Sequence, residues 1–328
     1  KQTTSFGIPG IAFCAALSHD ESQLYFGSSD FRLYRIDLTA DKPKAEPFGE
    51  ASHGSYVTGM ARAGEFLITG GYDCTLAWWR LDDGRRERTV ENAHSLWIRD
   101  VAASPDGRSV ATVADDMLCH VWDVASGERR FTLKDHAPET PHHYPSMLYA
   151  LNYSPDGRLL ATADRVGHVA IWDAESGEKL GSVEAPKMYT WDPRARRHSI
   201  GGARSVAFSP DNRLLAVGGI GQIGNVDHLG AAARIEVFDW KAGRRVHEIE
   251  SSKFKGLVER LVFHPSGAWF VAAGGDHGGF VSVYDSETAK PLKEEKAPMH
   301  VHELLPDSAW SRLFAVGHER AAFWSLTG

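Results

Sequence analysis

Residues 147–181 read MLYALNYSPDGRLLATADRVGHVAIWDAESGEKLG and form one complete unit. An apolar strand leads into the turn Ser154-Pro155-Asp156-Gly157, and a second strand runs from Leu159 to Ala163. After a turn at Gly167, a third strand ends Ile171-Trp172-Asp173, before the polar turn Glu175-Ser176-Gly177. Short β-branched and aromatic runs between Gly, Pro, Asp and Ser turns are the pattern of an antiparallel meander. One such sheet cannot bury both of its faces. Residues 98–130 (IRDVAASPDGRSVATVADDMLCHVWDVASGERR) match it almost letter for letter, so the unit is a repeat and its neighbours supply the missing cover.

With Trp172-Asp173 as the ruler, the same position is filled by Ile36-Asp37, Trp79-Arg80, Trp122-Asp123, Phe238-Asp239, Tyr284-Asp285 and Trp324-Ser325. The steps between the seven copies are 43, 43, 50, 66, 46 and 40 residues, close to the roughly 40–45 of four-stranded propeller repeats, with the excess in loops. The SPDG turn recurs at 104–107 and 154–157, then weakens to Ser209-Pro210-Asp211-Asn212 and His264-Pro265-Ser266-Gly267. Asp30, Asp73 and Asp116 stand six residues before the Trp position, where Val166, Gly278 and His318 stand in later copies.

On these residues the chain resembles the WD40-repeat β-propeller family over essentially its whole length. The resemblance implies an all-β, seven-bladed propeller of four-stranded antiparallel blades in a single domain, 1–328. The blades fall at about 11–47, 56–91, 97–134, 148–185, 203–250, 257–296 and 300–328, and almost no helix is expected. The last repeat has only three strands' worth of sequence, so Thr3 to Gly7 is expected to close the ring as the missing strand of the last blade; open edges invite mispairing. The family's partner histidine for the turn aspartate is matched by His53, His94 and His136, which read as structural pins.

Three insertions interrupt the period: 137–146 (APETPHHYPS), 186–202 (PKMYTWDPRARRHSIGG) and 220–232 (IGQIGNVDHLGAA). In a propeller, blade-to-blade connections and connections between second and third strands emerge on one rim, so all three are expected on one face over the fourth and fifth blades. Long loops on a rigid scaffold are where binding concentrates. The reading is therefore a noncatalytic scaffold for a protein or peptide. Trp97, Tyr149, Tyr189 and Trp191 are its apolar anchors, and Arg99, Arg194, Arg197 and Arg204 the arms that pair with acidic or carbonyl groups. Arg99 belongs to a set of equivalent positions (Phe13, Thr58, Tyr149, Arg204, Glu259) expected at the channel mouth.

The alternative is a small-ligand or metal site, possibly enzymatic, built from His142, His143, His198, Asp227 and His228 of the same loops. Gly219-Ile220-Gly221-Gln222-Ile223-Gly224 fits a dinucleotide fingerprint, but the repeat register already uses its flanking runs as two strands of one blade. No nucleophile elbow or paired acid–base carboxylates stand out, so neither catalysis nor a cofactor is expected. A formal net charge of −7 disfavours nonspecific nucleic-acid binding. Cys14, Cys74 and Cys119 read as buried free thiols. No apolar run reaches membrane-spanning length. A monomeric propeller is expected, possibly as part of a larger protein or complex; with Lys1 first, the chain reads as processed or truncated, and the cytoplasm is the compartment favoured.

Overall fold

The computed structural model describes residues 1–194 and 198–326. Every repeat folds as an antiparallel meander. In the third, the strands Ile98–Ala103, Ser109–Ala114, Cys119–Asp123 and Arg129–Leu133 pair in chain order, with Val110 opposite both Ala103 and Trp122. Four further sheets repeat that order, within 57–90, 148–184, 205–255 and 257–297. The described residues contain no α-helix, only the 3₁₀ turn Pro186–Met188.

The expectation of seven separate four-stranded sheets is corrected: there are six blade sheets, five of four strands and one of six. The first and last repeats share the six-stranded sheet because the strand Gln2–Leu17 runs through both. Its first part lies on Arg312–Ser325, with Phe6 opposite Ala321 and Gln2 opposite Trp324. It bends at Gly10, whose φ of +62° suits glycine, and its second part lies on Gln23–Ser28, with Ala15 opposite Phe26. Phe6 packs edge-on to Phe323 at 5.6 Å across the closure.

The core lies between neighbouring repeats. Each apolar cluster draws on two of them, as where Trp78, Ile68 and Val101 meet Trp122 between the second and third. The last such cluster joins Phe314 and Phe323 to Phe26 and Ile36, so the repeats cover one another all the way round.

Buried hydrogen bonds add to this packing. In the second repeat the Trp79 indole N–H donates to Thr69 Oγ1 (2.7 Å), which meets His53 Nε2 at 2.7 Å, while His53 Nδ1 faces Asp73 at 2.9 Å. One arrangement satisfies every group: the His Nδ1–H donates to the carboxylate, and the Thr hydroxyl donates to Nε2. The same relay is built by Trp122, Thr112, His94 and Asp116 and by Trp172, Thr162, His136 and Asp164. In the fourth repeat Val166 does occupy the aligned turn position, but the acid is not lost. Asp164, two residues earlier at the end of its strand, takes over and also accepts the Val166 and His168 backbone N–H groups.

Candidate functional site

The first strand of each repeat lines the channel, and the residues near its entrance define the mouth. A cavity of about 820 Å³ opens there, lined among others by Phe13, Thr58, Arg99, Tyr149, Arg204, Glu259 and His302. All but His302 are the positions that the repeat register placed at the channel; His302 is the equivalent residue of the last repeat. Arg260 lines both this cavity and a second one of about 700 Å³, so it stands between the two. Its guanidinium donates to Glu303 (2.7 Å) and lies 3.5 Å from Asp100. Burial pushes the Asp100 carboxyl up to about 6 against the pull of Arg260.

Three positions of a repeat meet at this entrance. One precedes the first strand, one lies in it two residues on, and the third sits at the turn after the second strand. A backbone hydrogen bond ties the third to the first: Tyr72 N–H to Tyr56 O, Asp115 to Trp97, Arg165 to Met147 and His318 to His300. The backbone thus fixes the positions, and each repeat fills them differently.

In the second and third repeats the filling is aromatic. Phe31, Tyr56, Tyr72 and Trp97 form a strip, with ring centroids 5.8, 5.6 and 4.4 Å apart in sequence. Phe31 is 37% exposed, Tyr56 40% and Trp97 47%, and Leu96 beside it is 50% exposed. Among the described residues six large hydrophobics are exposed, so these four are a concentration. The strip continues into the mouth through cation–aromatic contacts: the Arg99 guanidinium lies 4.9 Å from the Tyr72 ring centroid and 5.5 Å from that of Tyr149, and the Arg204 guanidinium lies 3.4 Å from the Tyr149 centroid.

Arg99 is not a free arm. It forks onto Asp115 with bonds of 2.7 and 2.6 Å and also donates to the Tyr72 hydroxyl. Burial opposes its charge, yet Asp115 outweighs burial and raises its pKa. Arg204, by contrast, has a buried Nε without a hydrogen-bond partner.

The three insertions do come together. Within the second insertion, Tyr189–Asp192 pairs antiparallel with His198–Gly201. His142 of the first insertion stacks on Trp191 at 4.7 Å and meets the Tyr189 hydroxyl at 3.1 Å. Gln222 of the third donates to the Lys187 and Tyr189 carbonyls, and Ile223 N–H to Thr190 Oγ1. Lys187 in turn reaches Glu248 at 2.7 Å, which is 2.8 Å from the buried Arg234. Tyr189 and Trp191 are therefore half-buried packing between insertions as well as candidate anchors. Arg194 is exposed, and Arg197 lies outside the described residues.

Of the insertion histidines, His142 stacks on Trp191 and His143 is exposed beside Glu139 at 3.5 Å. Among the described residues, potential ligand atoms cluster instead at His300, His302 and His318 and at His94, Asp116 and His120. The second group is the pin of the third repeat with a neighbouring imidazole. The glycine-rich run joins strands Leu214–Ile220 and Ala232–Asp239, which pair directly and antiparallel, leaving no crossover for a dinucleotide unit. Of the thiols, Cys14 and Cys119 are buried as expected, while Cys74 is only half-buried.

A ring of meanders around a lined channel, with Trp–Thr–His–Asp relays in successive repeats, defines the class of protein: a β-propeller assembled from WD-type repeats. The family model for the WD domain, G-beta repeat, matches residues 85–123 and 130–173, so these two stretches are WD40 repeats. It is similar to the nuclear distribution protein PAC1 of Arthroderma benhamiae, with 32% identity over 163 residues, 44% of this chain and 34% of that protein. It is also similar to the nuclear distribution protein nudF of Emericella nidulans, with 34% identity over 70 residues, 21% of this chain and 16% of that protein. The chain thus spans about a third or less of the length of these curated relatives.

Proposed function

We propose that this propeller is a noncatalytic scaffold that binds a protein or peptide across the channel mouth. The observation that carries the reading is the exposed strip Phe31–Tyr56–Tyr72–Trp97 running into the Arg99–Tyr149–Arg204 stack. Aromatic and arginine side chains around a concavity are the composition of interaction hot spots. Trp97 and Tyr56 are the apolar anchors. Arg204 is the arm for an acidic or carbonyl group, and Arg99, held by Asp115, is a rigid support for the rings beside it. The paired strands of the second insertion, with Tyr189, Trp191 and Arg194, contribute secondary contacts. The WD40 resemblance of the chain supports this class of function.

The test is affinity capture from lysate of the source cells with quantitative mass spectrometry. Wild type is compared with a Tyr56→Ala/Trp97→Ala/Arg204→Ala variant and a Tyr189→Ala/Trp191→Ala variant, each shown to be folded by its melting curve. Each hot-spot truncation typically costs about 2 kcal/mol or more, so the mouth variant should lose the partner entirely and the insertion variant should weaken it. Identical protein lists from all three samples would refute the assignment of this face.

A further inference from the structure

In the last repeat, all three mouth positions are histidine. His300 precedes the first strand, His302 lies in it, and His318 sits at the turn, tied to His300 by its backbone N–H at 3.1 Å. The equivalent trios are Tyr56, Thr58 and Tyr72 in the second repeat, Trp97, Arg99 and Asp115 in the third, and Met147, Tyr149 and Arg165 in the fourth. In two of those trios members pair directly: Arg99 is salt-bridged to Asp115, and the Tyr149 hydroxyl donates to the Met147 sulfur at 2.8 Å. The histidine trio instead packs ring against ring. Its rings stack at 4.4, 5.1 and 5.0 Å, with His300 buried, His302 half-buried and His318 exposed.

His302 Nε2 is buried without a hydrogen-bond partner, and His300 Nε2 has only a poorly aligned contact to Glu259. An imidazole nitrogen left so is destabilising. Glu259 Oε1 lies 3.3 Å from His300 Nε2 and 3.9 Å from His302 Nδ1, which places a carboxylate against the trio. One nitrogen from each histidine lies within 4.8 Å of the other two.

We propose that His300, His302 and His318 bind one divalent transition-metal ion of the zinc class at the channel mouth, with Glu259 as fourth ligand or as charge-balancing neighbour. Three imidazoles and a carboxylate are a donor set suited to such ions and poorly suited to calcium or magnesium. Around tetrahedral zinc, with Zn–N bonds of about 2.0–2.1 Å, ligand nitrogens sit roughly 3.4 Å apart. A contraction of at most about 1.4 Å between any two of these nitrogens, by side-chain rotation, brings them to that spacing. The ion gives the trio a shared partner and cross-links the first strand of the last repeat to its second, in the sheet through which the ring closes.

Tag-free protein, stripped with a chelator and dialysed, is titrated with Co²⁺ and Zn²⁺. The expected result is one equivalent bound per chain, with the visible bands of four- or five-coordinate cobalt, and a higher melting temperature in zinc. His302→Ala and His318→Ala should each weaken uptake by tenfold or more and abolish the zinc-dependent rise in melting temperature, while a His142→Ala/His143→Ala control should match wild type. The chelator-treated melting curves show that the variants are folded, and His318→Ala, at an exposed position, keeps the test open if His302→Ala does not fold. Failure of wild type to take up an equivalent of either ion, or uptake unchanged in both His302→Ala and His318→Ala, overturns the proposal.

Discussion

Replacing Thr162 with valine should destabilise the protein far more than its near-isosteric shape suggests. Thr162 is fully buried, so the change opens no appreciable cavity. What it removes is the oxygen that meets both the Trp172 indole N–H at 3.0 Å and His136 Nε2 at 2.8 Å. Each buried polar group left without a partner costs about 1–3 kcal/mol, so the two together cost about 2–6 kcal/mol. Marginal stabilities of about 5–15 kcal/mol make that a large fraction, equivalent to a drop in melting temperature on the order of 3–9 °C. Urea titration with fluorescence and circular dichroism readouts would measure it. Trp172→Phe in the Thr162→Val background removes one of the orphans, so the double variant should be more stable than the sum of the singles predicts, by about 1 kcal/mol. Thr69→Val and Thr112→Val, in the identical relays of the second and third repeats, should cost similar amounts. A Thr162→Val loss under about 0.5 kcal/mol, or strict additivity in the cycle, would refute the relay as a source of stability.

Three other outcomes follow from the same geometry. Asp73, held down to about 2 against the effect of its burial by the His53 hydrogen bond and backbone N–H groups, contributes stability that is present above its unfolded pKa near 4 and lost as pH falls toward 2. Asp73→Asn should therefore be destabilising at pH 7 and nearly neutral at pH 2; an equal deficit at both would contradict the assignment. Asp100 runs the other way: raised to about 6 by burial, its contribution is present below about 4 and lost as pH rises through 6. Asp100→Asn should thus stabilise by about 1–3 kcal/mol at pH 8 and change little at pH 4, which urea midpoints at the two values would decide. Deleting residues 1–8 strips the strand from 320–324 and exposes Phe323, so the melting temperature should fall by several degrees or the protein aggregate. An unchanged melt would rule out the closure.

The fold was legible because its period is written in short-range signals: SPDG turns, Trp-Asp strand ends and a histidine before the first strand. What the register could not show is which sheets merge, since the strand Gln2–Leu17 is continuous only once its two pairings exist. Asp164 was missed for a related reason. Alignment to the Trp position counts residues, whereas the carboxylate needs only to reach His136 in space, which it does from the strand end. The mouth was partly legible, as Arg99, Tyr149 and Arg204 were found by comparing one position across repeats. Phe31, Tyr56 and Tyr72 lie in different loops with no local pattern, and become neighbours only when the repeats stand side by side. The insertions drew attention by their length, but much of their aromatic content packs against itself. Comparing all three mouth positions across repeats, instead of one, would have exposed both the aromatic strip and the histidine trio.

That comparison also explains how one scaffold carries different chemistries around its rim. In the second, third and fourth repeats the turn aspartate or its substitute is committed to the relay, and the mouth positions beside it are free to be aromatic or charged. In the last repeat the turn position is His318, which makes no relay; its strands are held by the N-terminal strand and by the apolar cluster of Phe314 and Phe323 against Phe26 and Ile36. Stability there comes from closure and packing, so the polar side chains at the mouth are released from structural duty. A trio of packed imidazoles with poorly partnered ring nitrogens is costly in a repeat whose own polar groups must hold it together, and is tolerated where neighbouring strands hold it instead. Phe13, whose ring lies 5.9 Å from Tyr56 and 5.2 Å from His302, joins the aromatic strip to the histidine trio, so the two kinds of side chain are neighbours on the rim.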